Sequence, residues 1–203
     1  MKINLFKCKI NVSFPLIAIL TLSTILDRSG VTVLGFFATV LHELGHLLAM
    51  KLKHYEIKEV NLNLFNFNII DYSRNEKNFS DDIFILLSGP IFNLFIAILS
   101  IVNFNFFPEK KIFYFFLENI LIAIVNIVPI MSLDGGQIFY IFWTLKTNEK
   151  AAYHILNIIS VILLIPMFLL GFFILIKSKY NFSLLWICLY LVTLILFRNN
   201  EYI

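Results

Sequence analysis

Charge is scarce in this chain: Asp, Glu, Lys and Arg make up 14% of its 203 residues, against about 25% in ordinary soluble domains. That leaves too little polar surface to cover a water-exposed globule, and a highly charged disordered chain is excluded as well. Cysteine is nearly absent, with Cys8 and Cys188 only. Neither has a second Cys or a His at ligand spacing, which argues against a disulfide-stapled secreted fold and against a cysteine metal site. Seven glycines exclude a collagen-like repeat. The net charge of +3 is small and says little about partners, and a nucleic-acid binder is not expected. What the chain has in excess is apolar: 60% of its residues are hydrophobic, 23 residues are Phe, and mean hydropathy is +0.86. Such a composition belongs in a bilayer.

A hydrocarbon core about 30 Å thick takes roughly 20 apolar helical residues. Charge-free runs lie between Lys9 and Asp27, Asp82 and Glu109, Lys150 and Lys177, and Lys179 and Arg198. A fifth, from Lys111 to Asp134, is interrupted only by Glu118, and a sixth, residues 31–50, carries His42, Glu43 and His46 in its second half. Six spans are therefore expected. The first has no small-x-small cleavage site after it and reads as a retained helix rather than a signal peptide. Eleven of the 16 Lys and Arg fall on one side of this arrangement, which puts both termini and the loop between Lys51 and Asp82 in the cytoplasm. Within that loop, residues 55–71 alternate apolar and polar, with Val60, Leu62 and Leu64 against Asn61 and Asn63. Period two predicts one or two strands, or a hairpin turning near Asn66. No other segment reads as sheet. The fold class expected is an all-α polytopic membrane protein, one domain over residues 1–203, with a small β element between helices 2 and 3.

Ionisable residues inside a span cost roughly 2.5–3.5 kcal/mol each on insertion scales, so each needs a reason. Four stand out: His42, Glu43, His46 and Asp134. The first three form H-E-L-G-H, which places two imidazoles at i and i+4 on one helix face, where they can point at one ion. Zinc suits such a pair, and the intervening Glu43 is placed to take a proton from water. Chance produces H-[DE]-x-x-H in only about half a percent of chains with this content of His and acidic residues. Packing histidines or haem ligands would leave Glu43 unexplained.

A catalytic zinc site has three protein ligands and an open position, so a third donor is expected at the same depth. His42 is nine residues from Lys51, about 13 Å along a helix, and Asp134 is twelve from Lys146, at most about 18 Å. Pro129, Gly135 and Gly136 predict that the fourth span breaks around Asp134. Broken backbone at membrane depth is tolerated where it is buried in protein or lines a wet cavity, and an aspartate on it can reach a metal. A simpler role for Asp134, as a helix cap, does not exclude ligation. Glu118 and His154 read as interfacial and His54 as solvated.

H-E-L-G-H followed by Leu133-Asp134-Gly135-Gly136 resembles the site-2 protease family of intramembrane zinc metalloproteases. Gly89-Pro90-Ile91-Phe92-Asn93 is similar to a third family element, and Asn126-x-x-Pro129 leading to Leu133-Asp134-Gly135 is similar to the family's approach to its aspartate. The match covers about residues 30–145, and the flanking spans resemble the six-span core of the family's sporulation-type branch. Ser132 departs from the pattern, standing where many relatives have a second proline.

The resemblance implies one zinc ion per chain held by His42, His46 and Asp134, with Glu43 as general base. It implies substrate-positioning roles for Asn126 and Asn93, and a β element that receives the substrate as an added strand. No PDZ or nucleotide-sensing domain is expected. The implied partners are a membrane-tethered protein substrate such as a pro-sigma factor, regulatory or inhibitory membrane proteins, and the lipid bilayer. The implied location is a bacterial cytoplasmic membrane, or the forespore-surrounding membrane for a sporulation enzyme. Two other classes compete with this reading: a membrane cation transporter, which has no use for Glu43 beside His42, and a non-proteolytic scaffold.

Overall fold

The computed structural model describes residues 2–5, 8–27, 30–55, 57–62, 67–71, 78–178 and 192. They are mostly helical, and the chain divides into two compact units, residues 1–125 and 126–203.

The first unit begins with strands β1 (Lys2–Leu5) and β2 (Cys8–Val12), followed by helices α1 (Phe14–Leu26) and α2 (Val31–Leu52). Strands β3 (Ile57–Leu62) and β4 (Phe67–Asp71) follow, then helices α3 (Phe79–Phe106) and α4 (Lys110–Ile127). The four strands form one sheet in the order β1-β2-β3-β4. β1 and β2 are antiparallel, β2 and β3 parallel with Lys9 opposite Glu59 and Val12 opposite Leu62, and β3 and β4 antiparallel. The residues joining β3 to β4, including Asn66, lie outside the described residues.

The sheet changes the expectation for the N-terminus. A first span was predicted between Lys9 and Asp27, with no sheet outside residues 55–71. Instead Lys2–Val12 holds two strands, and α1 has 13 residues, about 20 Å of helix against a core of about 30 Å. The alternation of Lys9 and Asn11 with Cys8, Ile10 and Val12 is a strand pattern. Its pairing partner β3 lies some 50 residues away (Ile10 opposite Val60), which local reading does not show.

α2 starts after Gly30, whose φ of 76° is the left-handed conformation open to glycine, and Asp27 accepts the N–H of Thr32 at 2.7 Å. It ends in a Schellman arrangement: Tyr55 N–H donates to Met50 O at 3.0 Å and His54 N–H to Lys51 O at 3.1 Å. His54 takes the left-handed position there, with φ 60°, and its side chain is exposed, as expected of a solvated histidine. α3 opens on Asn78, which accepts the N–H of Ser80, with Asp81 and Asp82 in the first turn opposing the helix dipole. Lys53 pairs with Asp81, tying the end of α2 to the start of α3.

α2 and α3 make the most extensive helix–helix contact in this unit. Small residues allow it: a Cβ built at Gly45 would lie 2.7 Å from Ser88 O and 3.0 Å from Gly89 Cα. Without a hydrophobic force between helices in lipid, such backbone approach is a main source of association.

The second unit contains α5 (Asp134–Thr144) and α6 (Glu149–Ser178), with the end of α4 before them. The helical ladder stops at Ile127 and resumes at Asp134. The backbone groups freed between are paired locally: Ile130 N–H donates to Val128 O at 2.8 Å and Leu133 N–H to Ile130 O at 2.9 Å. Met131 N–H donates to Ser160 Oγ at 2.9 Å, while that hydroxyl donates to Leu156 O at 2.7 Å on its own helix. Ile130, Met131, Leu156 and Leu164 form the buried apolar cluster around this break. Backbone that would be intolerable in lipid is thus satisfied and covered by protein.

Among the described residues, three helical stretches are long and apolar enough to cross a membrane: Val31–Leu52, Phe79–Phe106 and Glu149–Phe173. Their exposed large apolar residues, among them Phe95, Ile98 and Leu169, are what a lipid-facing surface requires. The chain is a membrane protein. The last expected span, residues 180–197, lies outside the described residues apart from Val192.

Candidate metal centre

His42 and His46 sit one turn apart on α2, at 3% and 7% exposure. Each is held from behind by α3. His46 Nδ1 lies 2.7 Å from the carbonyl oxygen of Ile85, and a carbonyl only accepts, so the ring's proton is on Nδ1. His42 Nδ1 lies 2.7 Å from Oδ1 of Asn93. The orientation of that amide follows from its other end, where Asn93 Nδ2 donates to Ala38 O at 3.0 Å and to Asn119 Oδ1 at 2.9 Å. Both rings therefore carry their proton on Nδ1 and present Nε2 as a lone pair.

The two Nε2 atoms face each other at 3.2 Å. Turned towards one another in this way, the two Nε2 atoms are placed where both can act as donors to one cation. The separation fits a metal. Two nitrogens each about 2.0–2.1 Å from one tetrahedral ion are about 3.3 Å apart. Donation of the rear N–H to an amide oxygen and to a backbone carbonyl is the arrangement that orients metal-binding histidines.

Gly89 of α3 makes room for the pair, its Cα facing both rings: a Cβ there would lie 2.5 Å from His46 Nε2 and 2.8 Å from His42 Cε1. Glu43 follows His42 on α2 and is partly exposed rather than buried.

In the second unit, Asp134 is the first residue of α5, with Leu133 extended before it (φ −102°, ψ 162°). The residue is 9% exposed. The cap position itself falls on Leu133, which gives no side-chain hydrogen bond. His42, His46 and Asp134 are all buried, and imidazole and carboxylate are both groups that bind metals.

Asn126 lies in the last turn of α4, half-buried. Asn93, expected beside the substrate, has no exposed surface, and its amide is bonded to His42, Ala38 and Asn119. Asn119 escaped sequence reading because it belongs to no motif. The signal available was a polar amide in an apolar run, which must find partners inside the protein. His154 is exposed on α6, while Glu118 is half-buried on α4, where its carboxylate would stand 3.4 Å from a Cβ at Gly35.

The fold and the buried donors define a helical membrane protein with a candidate metal centre. No protein-family model matches the chain, and no curated protein matches it either. Among solved structures, the fold is similar to that of the Site-2 Protease from Methanocaldococcus jannaschii. The TM-score is 0.68, over 94% of this chain and 91% of that one, at 20% sequence identity.

Proposed function

We propose that the protein is an intramembrane zinc metalloprotease, hydrolysing a peptide bond in or beside the transmembrane segment of a membrane-tethered protein. The observation that carries this reading is the His42–His46 pair, with both Nδ1 protons tied back and both Nε2 atoms turned to one point, and Glu43 on the same helix. Likeness to a solved site-2 protease fold supports it.

His42, His46 and Asp134 would hold one zinc ion. The chemistry zinc supplies in such a site is polarisation of the scissile carbonyl and acidification of water. Glu43 takes a proton from the attacking water and passes it to the leaving amine. Asn126 positions the substrate strand or its carbonyl oxygen, and Asn93 acts by holding His42. The sheet's outer strands, β1 and β4, offer backbone partners to a substrate drawn out of its helix. We infer further that the chain is of the sporulation type and that its substrate is a pro-sigma factor tethered to a bacterial membrane.

Co-expression with a membrane-tethered substrate tests the reading. Glu43→Gln is expected to keep zinc and lose about 10²–10⁴-fold in cleavage rate, as loss of a general base does. Equal cleavage by wild type and variant sinks the mechanism. In the same series, Asp134→Ala is expected to lose zinc, and full zinc content there removes Asp134 from the ligand set.

The proposed topology has six spans, the 13-residue α1 serving as a short first one that the bilayer meets by local thinning, with both termini and the β3–β4 segment on the cytoplasmic side. Eleven of the 16 basic residues on that side support it. A reporter fused to either terminus is expected to be accessible from the cytoplasm alone, and a terminus reached from outside overturns the orientation.

A further inference from the structure

One buried amide in the first unit is not used by the hydrolytic chemistry. Asn119, in the middle of α4, has no exposed surface. Its partners impose an order of polarity. Asn119 Nδ2 lies 2.8 Å from the carbonyl of Phe115, one turn back on the same helix. A carbonyl only accepts, so nitrogen must be at that end and oxygen at the other. That oxygen, Oδ1, faces α3 and accepts from Asn93 Nδ2 at 2.9 Å. The second hydrogen of the same nitrogen goes to Ala38 O at 3.0 Å. With its nitrogen committed twice, Asn93 presents Oδ1 to His42 Nδ1 at 2.7 Å. Each group in the series is thus oriented by the one before it, from a backbone carbonyl on α4 to an imidazole on α2.

We propose that Asn119 is a positioning residue for the candidate metal centre: it holds Asn93 through an amide-to-amide hydrogen bond, so that His42 carries its proton on Nδ1 and presents Nε2. The proposal rests on the reading of His42 as a metal ligand. His46 reaches the same tautomer by a separate route, through the Ile85 carbonyl. The two histidines therefore form an internal control: loss of Asn119 should release His42 and leave His46 alone, which a general loss of stability would not do.

The experiment uses the full chain in detergent, with zinc alone as the probe. Asn119→Leu, similar in size but unable to accept a hydrogen bond, is expected to weaken zinc binding about 10- to 100-fold, the usual effect of removing an outer-shell partner. In the metal-free protein, ¹⁵N spectra are expected to show the His42 ring moving to a mixture of tautomers while His46 keeps its proton on Nδ1. Asn119→Asp, which as the neutral acid offers an acceptor to Asn93 and a donor to Phe115, should restore both readouts. If Asn119→Leu is not recovered folded, Asn119→Ser, whose hydroxyl is too short to reach Asn93, gives the same two measurements. Zinc affinity within twofold of wild type, or equal disturbance of both histidines, overturns the proposal. If the wild type takes up no zinc, the reading of His42 as a ligand fails, and the tautomer measurement still decides the role of Asn119.

Discussion

Under the proposed function, Gly89→Ala is expected to abolish zinc binding and, with it, cleavage. The added Cβ would stand 2.5 Å from both Cε1 and Nε2 of His46 and 2.8 Å from Cε1 of His42, where non-bonded heavy atoms need about 3.5 Å. Neither ring can simply swing aside, because each is pinned at Nδ1, one to Asn93 and one to the Ile85 carbonyl. Turning the rings breaks those bonds and points Nε2 elsewhere. Moving α3 away instead opens the close contact at Gly45, where backbone atoms of Ser88 and Gly89 already lie within 3.0 Å of a built Cβ. Either route destroys a geometry that tolerates only a few tenths of an ångström in ligand distance. Zinc content of the purified variant should fall below about a tenth of the wild-type value, a loss that leaves no loaded enzyme to work. Gly35→Ala, the same change on α2 two turns before His42, is the control: its Cβ meets Glu118 Oε2 at an ordinary 3.4 Å, and zinc content should be unchanged. Full zinc in Gly89→Ala would mean that the two rings do not form the site.

Much of the centre is legible in the sequence because its constraints are local. Two histidines four apart on a helix share a face by geometry alone, and they do so here, with Nε2 atoms 3.2 Å apart. The interruption before Asp134 is legible too, since Pro129 lies within, and the Gly-Gly pair just beyond, the six residues between Ile127 and Asp134 where the ladder is absent. What stays hidden depends on distant chain. The N-terminal strands read as the approach to a span, because Lys2, Lys7 and Lys9 before an apolar run look the same in either case. Pairing with Ile57–Leu62 decides between them. Gly89 belongs to a motif, yet its purpose emerges only when α3 lies across α2 and the missing side chain becomes space for two imidazoles. Asn119 is hidden for the same reason: its partner Asn93 is 26 residues earlier, on another helix. Local periodicity finds the candidate donors, and packing finds the groups that hold them.

Gly136→Ala is expected to cost about 3 kcal/mol or more in the stability of the second unit, the upper end of overpacking penalties. A Cβ at this position would lie 2.0 Å from the carbonyl oxygen of Ile130 and 3.0 Å from the nitrogen of Met131. These obstacles are backbone rather than the free end of a side chain, so relief requires the segment before α5 to move by more than an ångström. That segment is fixed on its other side. Ile130 is fully buried in the apolar cluster, and Met131 N–H donates to Ser160 Oγ at 2.9 Å. The strain therefore passes to the hydrogen bonds that satisfy the broken backbone, including Leu133 N–H to Ile130 O, and in lipid an unsatisfied peptide group has no water to turn to. Leu133 carries the extended turn that sets the first residue of α5, so Asp134 moves with it. Thermal unfolding of the full chain in detergent should show a lower midpoint, and zinc affinity should fall at least tenfold, the lower bound for disturbing the support of a ligand. The tightness here is steric and belongs to the Gly135–Gly136 pair, since a Cβ at Gly135 would lie 2.0 Å from the Ile127 carbonyl oxygen. The exposed neighbour Gln137, one residue further into the helix, should accept alanine with little change in either measurement. A Gly136→Ala protein that matches wild type in both would show that α5 can begin without the close approach of its first turn to the Ile130 carbonyl.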